Sequence, residues 1–226
     1  DMKLDYTRTD LVEASLVGKQ QGDTLVPYPT SNGRTILLAD SGIKAAKEFG
    51  EYCAAEPGWQ AVLGRASPVA VVRDSFDAMY WHFRHIQGFE AWKVDGAFIS
   101  RFAPPLGPGV AQRFEWSSKV TDAQAAEGRA FRERFTDHLT QLLGDDGVLV
   151  LPTMPDIAPR VADPESALED YRNRAIRLLC VAGLSGFPQL SLPLAGRSGA
   201  PLGLSLLGPA GSDRSLVRLA ERITAA

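Results

Sequence analysis

The clearest pattern of apolar and polar positions lies in the last third of the chain. Residues 147–151 form a continuous apolar run of strand length that Pro152 stops, which predicts a buried strand. Residues 189–194 and 202–207 alternate apolar and polar side chains on either side of a glycine-containing turn, which predicts a hairpin. Ser212 precedes apolar residues at helical spacing, so we expect a terminal helix to begin there and to bury one face.

The middle of the chain predicts three amphipathic helices. The first starts near residue 75 and carries apolar side chains at three- and four-residue steps. The second begins at Thr121, where Gln124 completes a capping-box pattern, and Gly144 is placed to end it. The third, which could also be a pair of helices, covers residues 163–183, with proline at its first helical position.

Between the first two of these helices, the pattern predicts a loop over residues 94–110. The segment contains Pro104-Pro105 and then Gly107-Pro108-Gly109. Proline removes a backbone donor and clashes with the preceding helical turn, so this density of prolines and glycines disfavours a helix.

The first part of the chain gives the fold class. Residues 35–39 and 69–72 are short apolar runs that predict strands, and the stretch between them has helical spacing. A strand, helix and strand in this order indicate an α/β protein with a mixed sheet flanked by helices. We expect residues 1–34 to be an irregular N-terminal segment and residues 35–226 to form one α/β region.

Composition excludes several classes of protein. The chain has 226 residues, a net charge of −3 and a pI near 5.7, which disfavour nucleic acid as a partner. It has no run of 18 apolar residues and no hydrophobic signal core at its polar start, so we expect no membrane span and a cytoplasmic location. Cys53 and Cys180 lie far apart without a CxxC pattern, and we interpret both as buried thiols.

No local motif provides a convincing catalytic or metal site. Ser117-Ser118-Lys119 contains the residue types of a serine–lysine system, but neighbours in sequence point apart, so surface positions before a helix are the better interpretation. His82 and His85 could share a metal but lack a recognisable third ligand, and His138 is expected to be exposed or at the margin of the core. The residues alone therefore predict no catalytic residue, no metal and no cofactor.

Several segments in order resemble the amidase signature family. They are FRHIQGFEAW and PPLGPGVAQRFEW upstream, then DGVLVLPTMPDIAPRV, and finally GLSGFPQLSLPLAGRSGAPLGLSLLGPAGSDRSLVRLAE. The resemblance is to the C-terminal portion of that family, especially the branch acting on small urea-like and amide compounds. It implies a C–N hydrolase that needs no cofactor and acts on a small amide substrate.

The chain departs from the family pattern at the catalytic residues. Members use a serine nucleophile, a bridging second serine and a lysine base, with the serines in a Gly-Gly-Ser-Ser-Gly-like signature that does not occur in this sequence. The resemblance carries over only Ile176, Cys180 and Phe187, as residues lining the acyl side of a substrate pocket; core packing is the alternative for all three.

Two functional interpretations follow from the resemblance. In the first, the chain is the C-terminal part of an amidase, and it self-associates or pairs with a partner chain carrying the catalytic half. In the second, it is a non-catalytic amidase-like structural or regulatory subunit, because a fold alone does not determine an activity.

Overall fold

The computed structural model of the protein describes residues 18–21, 24–27, 36–40, 62–63, 66–72, 75–197 and 200–225. The predicted helix between residues 39 and 69, including Cys53, lies almost entirely outside these ranges. In chain order, the strands and helices are β1 (Gly18–Gln21), β2 (Thr24–Pro27), β3 (Ile36–Asp40), β4 (Ala66–Ala70), α1 (Phe76–Phe102), α2 (Pro108–Ser117), α3 (Asp122–Leu143), β5 (Val148–Pro152), α4 (Glu165–Ser185), β6 (Gln189–Arg197), β7 (Ala200–Leu207) and α5 (Asp213–Thr224).

A five-stranded mixed sheet with the order β4-β3-β5-β7-β6 forms the centre of the fold. Strand β3 runs parallel to both β4 and β5, whereas β7 runs antiparallel to both β5 and β6. This arrangement confirms the predicted α/β class with a mixed sheet. Strands β1 and β2 form a separate antiparallel pair within residues 1–34, where the sequence predicted no regular element.

Strand β5 divides the core into two layers because its side chains alternate between the two faces of the sheet. Residues 148–151 are all buried. Leu149 and Leu151 join a cluster with α1, α3 and α4 on one face. Val148 and Val150 join a second cluster with α5 on the other face. A strand buried on both faces explains why the sequence shows a continuous apolar run at this position.

Helices α1 and α4 are joined by polar contacts at the edge of the layer that α1, α3 and α4 form on one face of the sheet. Arg177 donates to Asp77 Oδ1 through Nη2 at 2.6 Å and through Nε at 2.9 Å. The Tyr80 hydroxyl donates to Asn173 Oδ1 at 2.7 Å. The charged pair is largely exposed on the Asp77 side, so we expect it to orient the two helices more than to stabilise them.

The predicted starts and ends of the later helices are mostly confirmed. Thr121 and Gln124 form the capping box reciprocally, and Gly144 ends α3. Helix α4 begins at Glu165, one residue after the proline expected at its first position. Ser212 occupies the N-cap position of α5 but makes no side-chain capping bond there. Helix α5 buries the apolar face expected of it, which consists of Leu216, Leu219, Ala220 and Ile223.

The predicted loop over residues 94–110 is wrong. Helix α1 continues to Phe102, and α2 already begins at Pro108, so only residues 103–107 are non-helical between them. The two helices are separated by Ala103, which ends α1 with φ of 41°, and by the two prolines that follow. Pro108 starts α2 because the first residue of a helix needs no backbone donor. The prolines therefore interrupt the helical structure over five residues, whereas the prediction had a loop of seventeen.

Among the described residues, none of the helices combines the length and apolar character needed to cross a bilayer.

Candidate functional site

Four polar side chains form a hydrogen-bonded network at the carboxyl end of β5. Thr153 Oγ1 lies 2.7 Å from Ser191 Oγ and 2.8 Å from Ser205 Oγ. Gln189 Nε2 donates to Ser205 Oγ at 2.9 Å. Strand register brings these residues together, because Ser191 of β6 lies opposite Ser205 of β7 and Thr153 directly follows β5. We call these four residues the hydroxyl network.

One direction of hydrogen bonding gives the Ser205 and Thr153 hydroxyls an acceptor each and leaves the Ser191 proton free. Because Ser205 accepts from Gln189, its own hydroxyl proton is available to Thr153, and Thr153 can then donate to Ser191. Ser205 is fully buried, whereas Ser191 is exposed. In this direction, the last free proton of the chain of hydroxyls is on Ser191, at the solvent-facing end of the network.

Gly203 allows the hydroxyl network to pack closely. A Cβ atom at this position would lie 2.6 Å from Thr153 Oγ1 and 2.8 Å from Ser191 Oγ. The Thr153 backbone N–H also donates to the Gly203 carbonyl at 2.9 Å, which extends the pairing of β5 and β7 by one residue. The network is therefore held by backbone as well as side-chain contacts.

The hydroxyl network can hydrogen-bond a polar group of a ligand, but none of its hydroxyls is activated as a nucleophile by a described residue. Its hydrogen bonds join only hydroxyl and amide groups. A serine or threonine nucleophile needs an adjacent base to accept its proton, and no imidazole, amine or carboxylate of the described residues takes part in these bonds. The exposed Ser191 hydroxyl can instead donate to, or accept from, a polar group of a bound molecule.

The three pocket residues carried over from the resemblance all lie on the α4 side of the sheet, two of them in the core and Ile176 partly buried against it. Cys180 is fully buried, Phe187 is 6% exposed, and Ile176 packs against the same cluster as Leu149 and Leu151. Phe187 follows Gly186, which ends α4 in the left-handed region with φ of 70°, and it lies two residues before Gln189. The substrate-lining role of the three residues stays a prediction.

The environment of Cys180 makes its thiol unreactive. Burial raises the pKa of Cys180 to about 12, and the thiol donates weakly to the Arg177 carbonyl oxygen at 3.5 Å. Since the thiolate is the nucleophilic form, this side chain contributes as an apolar group and not as a nucleophile.

Cys180 is therefore expected to resist thiol reagents while the protein is folded. In a Cys53→Ser background at about pH 8, Ellman's reagent should label no thiol in the native protein and one thiol in urea. Because folding raises the pKa of Cys180 from 9.0, the free energy of unfolding should fall as the pH rises from 9.0 towards about 12. Rapid stoichiometric labelling of the native protein would contradict this prediction.

The serine, lysine and histidine side chains considered in the sequence analysis as catalytic or metal-binding candidates do not form a common site. Lys119 Nζ is bound to Glu115 Oε1 at 2.7 Å, and the Ser118 hydroxyl donates to the Glu115 carbonyl oxygen. The His82 ring stacks on Phe131 of α3 at 4.5 Å between ring centroids.

His85 points towards a different neighbour, because it stacks on Trp116 of α2 at 6.0 Å. The two histidines of α1 therefore face different helices, and within the described part of the chain no three His, Cys, Asp or Glu residues are grouped to hold a metal. His138 is half-buried on α3, at the margin of the core as expected.

Sequence reasoning missed all four members of the hydroxyl network. The available signal is the alternation of β7, where Ser205 lies two residues before the buried Leu207 and therefore shares its face. A hydroxyl on the inner face of a strand needs a hydrogen-bond partner, which points to a polar cluster. The register that identifies the partners is a tertiary property.

The fold is that of the amidases. A solved structure described as "Crystal structure of amidase" superimposes with a TM-score of 0.70 at 19% identity, covering 88% of this chain and 48% of that chain. At this identity, the comparison shows the fold alone.

The sequence comparisons then identify the family. The sequence model described as Amidase matches residues 70–217, which include α1 to β7 and the whole hydroxyl network. Together with the relatives below, this match shows that the chain belongs to the amidase signature family. A second sequence model, Transmembrane protein 43, matches residues 1–72, which is too small a share of the chain to assign a family.

Two curated relatives show how much of such a protein this chain represents. Amidase 1 of Arabidopsis thaliana is 38% identical over 151 residues, covering 67% of this chain and 36% of that protein. Outer envelope protein 64, chloroplastic, of the same plant is 32% identical over 132 residues, covering 58% of this chain and 22% of that protein. The matches thus span about a third or less of the length of these relatives.

Proposed function

We propose that this chain forms one wall of the substrate pocket of an amidase, while the catalytic serines and lysine come from residues outside these 226. The hydroxyl network is the observation that carries the proposal. It places four polar side chains at the carboxyl end of a strand, within the stretch matched by the Amidase family. In open α/β sheets, ligands bind outside the carboxyl ends of the strands.

In the complete enzyme, the reaction would follow the serine hydrolase scheme. A serine oxygen attacks the amide carbonyl while a lysine accepts the serine proton. This proton then passes to the leaving nitrogen as the C–N bond breaks, which releases an amine and leaves an acyl-enzyme. Water then attacks the ester, releases the carboxylic acid and restores the serine. The Ser191 hydroxyl would hydrogen-bond the polar end of the substrate, and Ile176, Cys180 and Phe187 would contact its acyl side.

A chimera with a complete relative tests this proposal. Residues 70–217 replace the matching stretch of Arabidopsis Amidase 1, so the relative supplies the rest of the enzyme. We expect the chimera to hydrolyse small amides and to be labelled on a serine by a fluorophosphonate. Thr153→Val should then lower kcat/KM about tenfold, because it removes the hydroxyl that joins Ser191 to Ser205.

The matched control is Thr140→Val. This hydroxyl is exposed and bonds only the Thr136 carbonyl oxygen of its own helix, so kcat/KM should not change. Equal activity of the Thr153→Val chimera and its parent, at equal thermal stability, would contradict the pocket role of the network. A labelled serine in the isolated chain would contradict the statement that the nucleophile comes from elsewhere.

The alternative is a non-catalytic structural or regulatory subunit. The same experiment distinguishes it, since this alternative predicts a folded chimera that neither hydrolyses amides nor reacts with the fluorophosphonate.

As part of the main proposal, residues 35–226 form one amidase-like region, and limited proteolysis should leave that region intact. A cytoplasmic location is also proposed, and cell fractionation tests it.

Helix α1 supports the proposed self-association or pairing with a catalytic half. Val94, Phe98 and Phe102 lie on successive turns of α1 and are 76%, 56% and 58% exposed. A row of exposed large apolar side chains is typical of a surface that is covered in a complete assembly. Size-exclusion chromatography with light scattering should show self-association that Phe98→Glu reduces, and a monodisperse parent monomer would contradict it.

A further inference from the structure

A cleft lies between α1 and α2 on residues that the proposed function does not use. Its volume is about 310 Å³, which is at the lower end of the usual range for small-ligand pockets. Two arginines, Arg84 and Arg113, and two aromatic residues, Phe114 and Trp116, contribute to its lining. We call this site the arginine cleft.

The two guanidinium groups of the arginine cleft have no carboxylate partner among the described residues. The Arg84 Nε atom is buried and makes no hydrogen bond within that part of the chain. The acidic residue of α2, Glu115, is bound to Lys119 instead. A cleft with two positive charges and a buried unsatisfied donor favours an anionic ligand, because guanidinium groups bind carboxylates in a planar, often bidentate, geometry.

Trp116 provides a fixed flat surface in the same cleft. The Arg84 guanidinium lies over the Trp116 ring with Cζ at 4.9 Å from its centroid, and the His85 ring stacks on the indole with an interplanar angle of 10°. Gly88 permits this packing, because a Cβ atom there would lie 2.5 Å from Trp116 Cζ3. The indole therefore lies directly against the backbone of α1.

We infer that the arginine cleft binds a small aromatic carboxylate. The carboxylate would pair with Arg84 and Arg113, and the flat apolar body would lie among Trp116, Phe114 and Val110. The apolar lining favours an aromatic acid over free phosphate, because a small hydrated anion would leave that surface uncovered. A cleft of this volume accommodates a single ring with a short substituent.

Benzoate titration of the purified full chain tests this inference. The indole N–H resonances of the four tryptophans are followed by NMR, and Trp116→Phe assigns the one in the cleft. We expect the Trp116 resonance to shift saturably, with a dissociation constant on the order of 1 mM for so small a ligand. Benzyl alcohol, which lacks the charge, and inorganic phosphate, which lacks the ring, should each shift it at least about tenfold more weakly.

Charge variants show whether the arginines are responsible. The Arg84→Gln/Arg113→Gln variant should bind benzoate at least about tenfold more weakly. Arg134→Gln removes one positive charge from an exposed position of α3, the same change in charge as single Arg113→Gln, and should bind like the parent. Circular dichroism melting checks that each variant folds, and single Arg113→Gln provides the measurement if the double variant does not fold.

Three outcomes would overturn the inference. They are the absence of saturation below about 20 mM benzoate, equal benzoate affinity in the arginine variants, and phosphate binding as tight as benzoate binding. None of these outcomes depends on amide hydrolysis. The arginine cleft and the proposed function can therefore fail independently.

Discussion

Replacing Leu149 with alanine is expected to lower the free energy of unfolding by about 3 kcal/mol. Leu149 is fully buried in the central strand and packs in the cluster formed with α1, α3 and α4. The loss combines the transfer energy of the removed atoms with the cavity left between the sheet and the helices. Because domains of this kind are stable by about 5–15 kcal/mol, the change should be visible as a lower urea midpoint.

Leu179→Ala is the matched control for this prediction. Leu179 belongs to α4 but is 40% exposed, so the same chemical deletion leaves no enclosed cavity. We expect its cost to be below about 1 kcal/mol. Equal destabilisation by Leu149→Ala and Leu179→Ala would contradict the two-layer core described above.

Gly128→Ala is expected to destabilise the protein by about 2 kcal/mol, although alanine is the better helix former. A Cβ atom at Gly128 would lie 2.9 Å from Ile86 Cγ1 and 3.0 Å from the His82 carbonyl oxygen. The second contact is with backbone, so α1 and α3 must move apart to relieve it. The loss of helix packing exceeds the gain in helix propensity. Urea or thermal unfolding measures the difference.

Gly109→Ala is the matched control, and it should not destabilise the protein. This glycine also lies in a helix, and its added Cβ would meet only Arg113 Nη1 at an ordinary 3.9 Å. We expect unchanged or slightly increased stability, because alanine reduces the conformational freedom of the unfolded chain. Stabilisation by both substitutions would show that α1 and α3 do not approach each other as closely as described.

These two predictions concern the packing that positions the hydroxyl network. Leu149 and Leu151 hold β5 against the helices, and Thr153 extends from the same strand on the same face. Destabilising this layer should therefore reduce activity in the chimera as well as stability. The Thr153→Val variant differs, because it removes a polar contact at the strand end and leaves the apolar packing of the layer in place.

Local sequence signals predicted those parts of the fold that depend on neighbouring residues. The capping box of Thr121 and Gln124, the apolar run of β5 and the buried face of α5 all depend on residues within a few positions of one another. Where a local signal was ambiguous, the prediction failed. Pro108 is compatible with both a loop and the first turn of a helix, and the structure has the helix.

The resemblance of whole segments to other members determined the family. Periodicity and capping determined the α/β class and most helix ends, because these signals act over one or two turns of chain. Only the tertiary structure decided the candidate sites. The hydroxyl network joins Thr153 to residues 38 and 52 positions later through the register of three strands. The arginine cleft depends on Gly88 allowing Trp116 of another helix to lie against α1. Both sites form only when the packing of distant segments fixes their distances, and no local pattern encodes those distances.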